Sequence, residues 1–134
     1  MNIIKEIKAL NLPNGEYLVF GSAPMGIHGI RNIHDIDILV SPNLYQQLKK
    51  RGWQEKKWKS SGSKYLAYKN IEAGSNWDYG IYHPTLESLL KTADIFDGIP
   101  FANLKEVIKW KMAFGRDKDK KDIQLIKTFL ACKD

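Results

Sequence analysis

The chain has 134 residues, 43% hydrophobic and 27% charged, which is enough for one core and unlike a disordered segment. No apolar run approaches the roughly 18 residues of a membrane span, Lys5, Glu6 and Lys8 break up the first apolar stretch as no secretory leader would, and the single Cys132 excludes an intrachain disulfide and points to a reducing, cytoplasmic setting. The net charge of +6 directs attention to polyanionic partners: nucleotides, nucleic acid or phosphorylated substrates.

Taken in order, Ile3, Ile4, Ile7 and Leu10 fall at helical spacing, and Leu12-Pro13-Asn14-Gly15 signals a turn. Glu16 to Phe20 is a short apolar strand. Ser22 to His28 is a helical turn, with Pro24 near its start and Gly29 as its stop. Asp35 to Val40 is the second strand. Ser41-Pro42 supplies an N-cap and a first-turn proline for a helix to about Arg51, with Leu44, Leu48 and Tyr45 inward and Gly52 as its stop. Trp53 to Trp58 and Lys64 to Lys69 read as strands around a Ser60–Ser63 turn. Gly74-Ser75 marks another turn before a strand over Asn76 to Tyr82.

Thr85 and its neighbours open a helix through Leu86, Leu89 and Leu90, and Ile99 to Phe101 is a short final strand. Asn103 and Glu106 have the spacing of a capping pair for a helix ending near Gly115. A charged loop, Arg116 to Lys121, leads to a last helix with Ile123, Ile126, Phe129 and Leu130 inward. The expectation is an α/β (α+β) domain with a small mixed sheet, and no repeat or linker divides residues 1–134.

The chemistry concentrates between Tyr17 and Val40. Side chains alternate along a strand, so Asp35 and Asp37 share a face while Ile36 and Ile38 take the other. Two ionised carboxylates side by side repel unless a cation lies between them. Mg2+ suits such a pair, because it takes one or two protein carboxylates and fills its shell with substrate phosphates. Taken alone, an Asp-x-Asp also describes two solvated acids. The preceding Gly21-Ser22 turn adds backbone N–H groups and a hydroxyl that suit an anion. Phosphates at the turn and metal at the acids is the layout of phosphoryl or nucleotidyl transfer. Asp78 is the candidate third acid if its strand neighbours the Asp35 strand, and Glu72 is the weaker candidate.

Phe20-Gly21-Ser22-Ala23, Gly29-x-Arg31 and Asp35-Ile-Asp37-Ile-Leu-Val together resemble the signature of the DNA polymerase beta-type nucleotidyltransferase superfamily. Lys111-x-x-x-Gly115-Arg116-x-Lys118-Asp119-x-x-Asp122 is similar to a segment of small bacterial nucleotidyltransferases, including the abortive-infection toxin-type relatives. The resemblance implies a nucleotidyltransferase fold, a small mixed sheet backed by helices, holding two Mg2+ ions and a nucleoside triphosphate such as ATP. It implies that Asp35, Asp37 and Asp78 are the catalytic, metal-binding carboxylates. It places Gly21, Ser22, Arg31, Lys111, Arg116 and Lys118 on the nucleotide, with Asp122 orienting the cations. The chain departs from the toxin-like pattern in having Gly-Ser for Gly-Gly, and the extra helical domain with which larger relatives grip the acceptor is not expected here.

The expected activity is Mg2+-dependent transfer of a nucleoside monophosphate to a hydroxyl, with pyrophosphate leaving. RNA, protein and small molecules stay open as acceptors. The alternative is a catalytically weak nucleotide- or RNA-binding module acting with a protein partner. Residues Lys49 to Lys59 interleave cations with Trp53 and Trp58, a pattern that fits either a nucleic-acid track or a solvated face.

Overall fold

A computed structural model describes residues 2–59 and 61–132. The elements are α1 (Ile3–Lys8), β1 (Tyr17–Phe20), α2 (Ala23–Ile27), β2 (Ile36–Val40), α3 (Pro42–Lys50), β3 (Gln54–Lys57), β4 (Lys64–Tyr68), β5 (Ile71–Gly74), α4 (Leu86–Lys91), β6 (Asp94–Phe96), β7 (Ile99–Phe101), α5 (Leu104–Phe114) and α6 (Asp117–Ala131). The architecture is mixed α/β, as expected. Among the described residues, seven strands form one mixed sheet in the order β3-β4-β5-β2-β1-β7-β6, with six helices. β1 is antiparallel to β2 and parallel to β7, whereas β2 is parallel to β5. No helix among the described residues is long and apolar enough to cross a membrane.

The central strands are covered on both faces, which is why they read as continuous apolar runs. Leu18, Val19 and Phe20 are fully buried, and so are Ile36 and Ile38. On one face, Tyr45 of α3 donates to Glu55 of β3 at 2.7 Å. On the other, Phe20 meets Trp110 of α5 edge to face, ring centroids 5.2 Å apart.

The helix ends follow local chemistry. Ser41 Oγ accepts from Leu44 N–H at 3.0 Å and donates to Glu16 at 2.9 Å, so one hydroxyl caps α3 and ties it to the turn before β1. Asn103 caps α5 by accepting from Lys105 and Glu106 N–H groups. Glu106 does not complete the expected reciprocal cap; its carboxylate accepts instead from Tyr82 Oη at 2.9 Å and Lys109 Nζ at 3.1 Å. Gly115 closes α5 in the left-handed conformation, φ 66°.

Four expectations need correction. Asn76 to Tyr82 is not a strand. It is a loop carrying one bridge between Tyr79 and Tyr82, turned by Gly80 at φ 59°. The Trp77 indole N–H anchors it, bonding to the Ile38 and Gly74 carbonyls at 3.2 and 3.0 Å. The strand beside β2 is β5, which the turn signals on either side of Ile71-Glu72-Ala73 concealed. Residues Asp94–Phe96, between the expected helix and the expected Ile99 to Phe101 strand, form an edge strand paired with β7. Arg116 to Lys121 is not a loop: α6 starts at Asp117, because the Asp119 carboxylate accepts from the Arg116 backbone N–H at 3.2 Å. Of the turn expected over Ser60–Ser63, Ser60 lies outside the described residues.

Candidate active site

The β1–α2 turn, the start of β2, the middle of β5, and α5 with α6 converge on one cleft of about 410 Å3. Ser22, Arg31, Asp35, Asp37, Asp78, Lys111, Arg116 and Lys118 all line it. Gly21 lies directly beneath. Its φ of +65° suits glycine, and a Cβ there would collide with the Asp37 carboxylate. The Gly-Ser turn and the second acid are therefore packed against each other.

Asp35 precedes β2 and is exposed, whereas Asp37 lies within β2 and is half-buried. Opposite Asp37, in register on β5, is Glu72. Directly paired strand residues share a face, so Glu72 joins Asp37 on the cleft side, and it too lines the cleft. Asp78 reaches the cleft from the loop after β5. Its carboxylate is 43% exposed and lies 3.2 Å from His83 Nδ1.

The carboxylates perturb each other. Burial first, then the neighbouring charges of Glu72 and Asp35, push the Asp37 carboxyl up to about 7, with Lys111 and Arg116 opposing the shift. Glu72 is also raised, by burial and then by Asp35. Among the described residues, no three His, Cys, Asp or Glu side chains close into a ready-made metal cage. The donor set is nonetheless all hard oxygen and mutually repelling, which suits Mg2+ completed by phosphate oxygens better than Zn2+.

Across the cleft, three of the four expected cations are already engaged. Lys111 is 2% exposed, and its ammonium donates to Ser22 Oγ and Asp122 Oδ2, both at 2.8 Å, with Asp119 at 3.7 Å. Arg31 grips Asp122 with Nε and Nη2, both at 2.8 Å. Arg116 holds Asp119 through Nε at 2.6 Å and Nη2 at 3.0 Å, its guanidinium over the Phe114 ring. Burial favours the neutral Asp122, but the hydrogen bonds and charges of Arg31 and Lys111 outweigh it and hold the carboxyl below its usual range. Lys118 is exposed at the cleft with no ion pair among the described residues.

Lys111 and Asp122 thus clasp the β1–α2 turn and the Arg31 segment to α5 and α6. Ser22 Oγ accepts from Lys111 and keeps its own proton to donate to an anion. Part of the cleft lining is aromatic. Tyr79 stacks on Phe114 with centroids 4.2 Å apart and planes 17° from parallel, and Trp77 and Trp110, edge to face with centroids 6.2 Å apart, line the cleft with them.

Sequence reasoning ranked Glu72 low because its strand went unrecognised. The alternation Ile71-Glu72-Ala73, apolar-acid-apolar, was the available signal, and Ile71 and Ala73 are buried as that period requires. Asp119 was not singled out as a buried group, since it reads as one member of an alternating charge run. Comparison of the chain with protein-family models, with curated proteins and with solved structures gave no match.

Proposed function

We propose that the cleft binds a nucleoside triphosphate with Mg2+ and transfers its nucleoside monophosphate to a hydroxyl, in the manner of the polymerase beta-type nucleotidyltransferases that the motifs resemble. The observation that carries this reading is the gathering in one cleft of Asp35, Asp37 and Glu72 with the adjoining Ser22 turn and the unpaired Lys118. The acceptor oxygen attacks the α-phosphorus, the bond from that phosphorus to the bridging oxygen breaks, and pyrophosphate departs with the electron pair. The acceptor proton passes to a carboxylate or to water.

Asp35 and Asp37 are the residues that would hold Mg2+, with Glu72 in register as the third carboxylate. The metal supplies charge neutralisation on the phosphates and the acceptor oxygen. Ser22 donates to a terminal phosphate. Lys118 neutralises the leaving pyrophosphate from the first turn of α6. The Tyr79–Phe114 stack offers a flat wall for the nucleobase. Asp78 keeps a place at the rim, where its pairing with His83 fits acceptor contact better than metal binding.

A binding module with little turnover is the second reading. It is favoured by the engagement of Lys111, Arg31 and Arg116 with aspartates, which leaves few free cations to stabilise a transition state.

Incubation with labelled nucleoside triphosphates, Mg2+ and a mixed pool of RNA, protein and small molecules tests the proposal. Labelled acceptor is expected with wild type and not with Asp35→Asn/Asp37→Asn. Glu72→Gln is expected to lower transfer about a hundredfold and Asp78→Asn by less than tenfold, in keeping with the loss of a group that touches reacting charge. Metal-dependent nucleotide binding without transfer would favour the module. Absence of such binding would end both readings.

A further inference from the structure

The chain's excess charge is concentrated in one segment. Between Lys49 and Lys69, eight Lys and Arg accompany a single acid, Glu55, whereas the rest of the chain carries thirteen cations and fourteen acids. All eight cations are exposed. Among the described residues only Lys49 is ion-paired, to Glu55 at 3.1 Å. A protein that needed these charges only for solubility would gain nothing from gathering them, since like charges repel.

The fold joins this segment to the cleft. β3 is the edge strand on the β5 side of the sheet. Asp37 pairs with Glu72, Glu72 with Ala67, and Ala67 with Gln54; the neighbouring pair on the same face is Tyr65 with Lys56. Paired residues share a face and alternate residues return to it. One sheet face therefore runs from the acids to Lys56 across three strand spacings, about 14 Å. Ala67 keeps its floor low. Trp58 stacks on Tyr65, centroids 4.4 Å apart and planes 16° from parallel, and also borders the cleft. Lys59 follows directly, and Lys57 pairs with Lys64 on the opposite face at the end of the hairpin. Cations beside a stacked aromatic platform, leading to a group of carboxylates, form a track for a strand whose phosphates and bases are both exposed.

We propose that the β3–β4 hairpin binds single-stranded RNA, its phosphates along Lys56 and Lys59 and over the open edge of β3 to Lys57 on the other face, with a base against Trp58, and presents an RNA hydroxyl to the cleft. The proposal names the acceptor class of the transfer reaction and rests on that reading only for the delivery of the hydroxyl.

Fluorescence anisotropy with a fluorescein-labelled, mixed-sequence single-stranded RNA, in Mg2+ and without nucleoside triphosphate, separates the two. Wild type is expected to bind with log affinity falling linearly against log salt, at about −0.7 per phosphate neutralised. Lys56→Ser/Lys57→Ser/Lys59→Ser, exposed positions where folding is readily checked by circular dichroism, is expected to lose at least about tenfold in affinity and to show a slope shallower by about 2. Lys120→Ser/Lys127→Ser, which removes exposed cations outside the hairpin, is expected to retain RNA binding within about threefold. RNA binding by the triple variant equal to wild type, or displacement of RNA by poly-glutamate at equal charge, overturns the inference in favour of a general polyanion or acidic-protein surface. RNA binding lost in the triple variant while wild type never transfers label upholds the binding site and rejects the transfer reaction.

Discussion

Replacing Asp122 with Asn tests the clasp directly. The carboxylate receives three hydrogen bonds at 2.8 Å, two from Arg31 and one from Lys111. An amide keeps one acceptor oxygen and loses the charge. Arg31, 34% exposed, turns to water at little cost. Lys111, 2% exposed, has no such exit; its nearest remaining carboxylate is Asp119 at 3.7 Å, already held by Arg116. Removing one partner of a buried ion pair costs about 3–5 kcal/mol, and the retained amide oxygen places Asp122→Asn near 3 kcal/mol. Against a total stability of about 5–15 kcal/mol, this lowers the melting temperature by about 10 °C. Lys111→Met leaves Asp122 with Arg31 and Asp119 with Arg116, so its cost is smaller, about 2 kcal/mol. Because the two changes remove the same bond, the double variant falls short of their sum by about 1–3 kcal/mol. Urea unfolding of the four proteins at neutral pH reads all three quantities. A cost for Asp122→Asn below about 0.5 kcal/mol, or strict additivity, refutes the reasoning. The pH dependence has a fixed sign. The folded carboxyl is held below its unfolded value, so its contribution is full above the unfolded value and is lost as pH falls through the folded one. Wild type therefore loses more stability on acidification below about pH 4 than Asp122→Asn does.

Asp37 carries the opposite sign. Its folded carboxyl is raised to about 7, so the protonated form favours folding; that contribution is present below the unfolded value near 4 and is lost as pH rises through 7. Asp37→Asn is expected to melt with wild type near pH 4 and above it near pH 8, by about 1–2 kcal/mol after allowing for the open cleft; equal melting curves at both pH values reject the carboxylate repulsion. Gly21→Ala and Gly29→Ala form a matched pair. Both positions have positive φ, but only at Gly21 would a Cβ meet another residue, Asp37, while Gly29 faces open space. Each is expected to lose about 1–2 kcal/mol from the backbone, and Gly21→Ala to lose more and to abolish metal-dependent nucleotide binding. Equal destabilisation of the two, by chemical denaturation, counts against the Gly21–Asp37 contact.

Local signals placed much of this fold, because the interactions behind them span only a few residues. Ser41-Pro42 fixed the start of α3, Asn103 and Gly115 bounded α5, and the run from Tyr17 to Phe20 announced a strand covered on both faces. Period two put Asp35 and Asp37 opposite Ile36 and Ile38, and the buried pair is the isoleucines. The alternating charges from Arg116 onward misled, because a solvated loop and a helix start show the same pattern; the difference lies in Asp119, whose burial depends on Lys111 and Arg116 reaching it.

By itself the sequence determined that a Gly-Ser turn precedes two same-face acids on a buried strand, and that a cationic motif follows far along the chain. Strand adjacency is decided elsewhere. Glu72 meets Asp37 only because β5 pairs with β2 in parallel, and parallel neighbours are joined through remote chain rather than a local turn. Lys111 and Arg31 look equally free in the sequence. Asp122 alone, 91 residues from Arg31 and 11 from Lys111, turns them into a clasp. Tertiary packing thus decided which charges neutralise one another and which still face the cleft, because the strength of an ion pair depends on distance and burial, and neither follows from spacing along the chain.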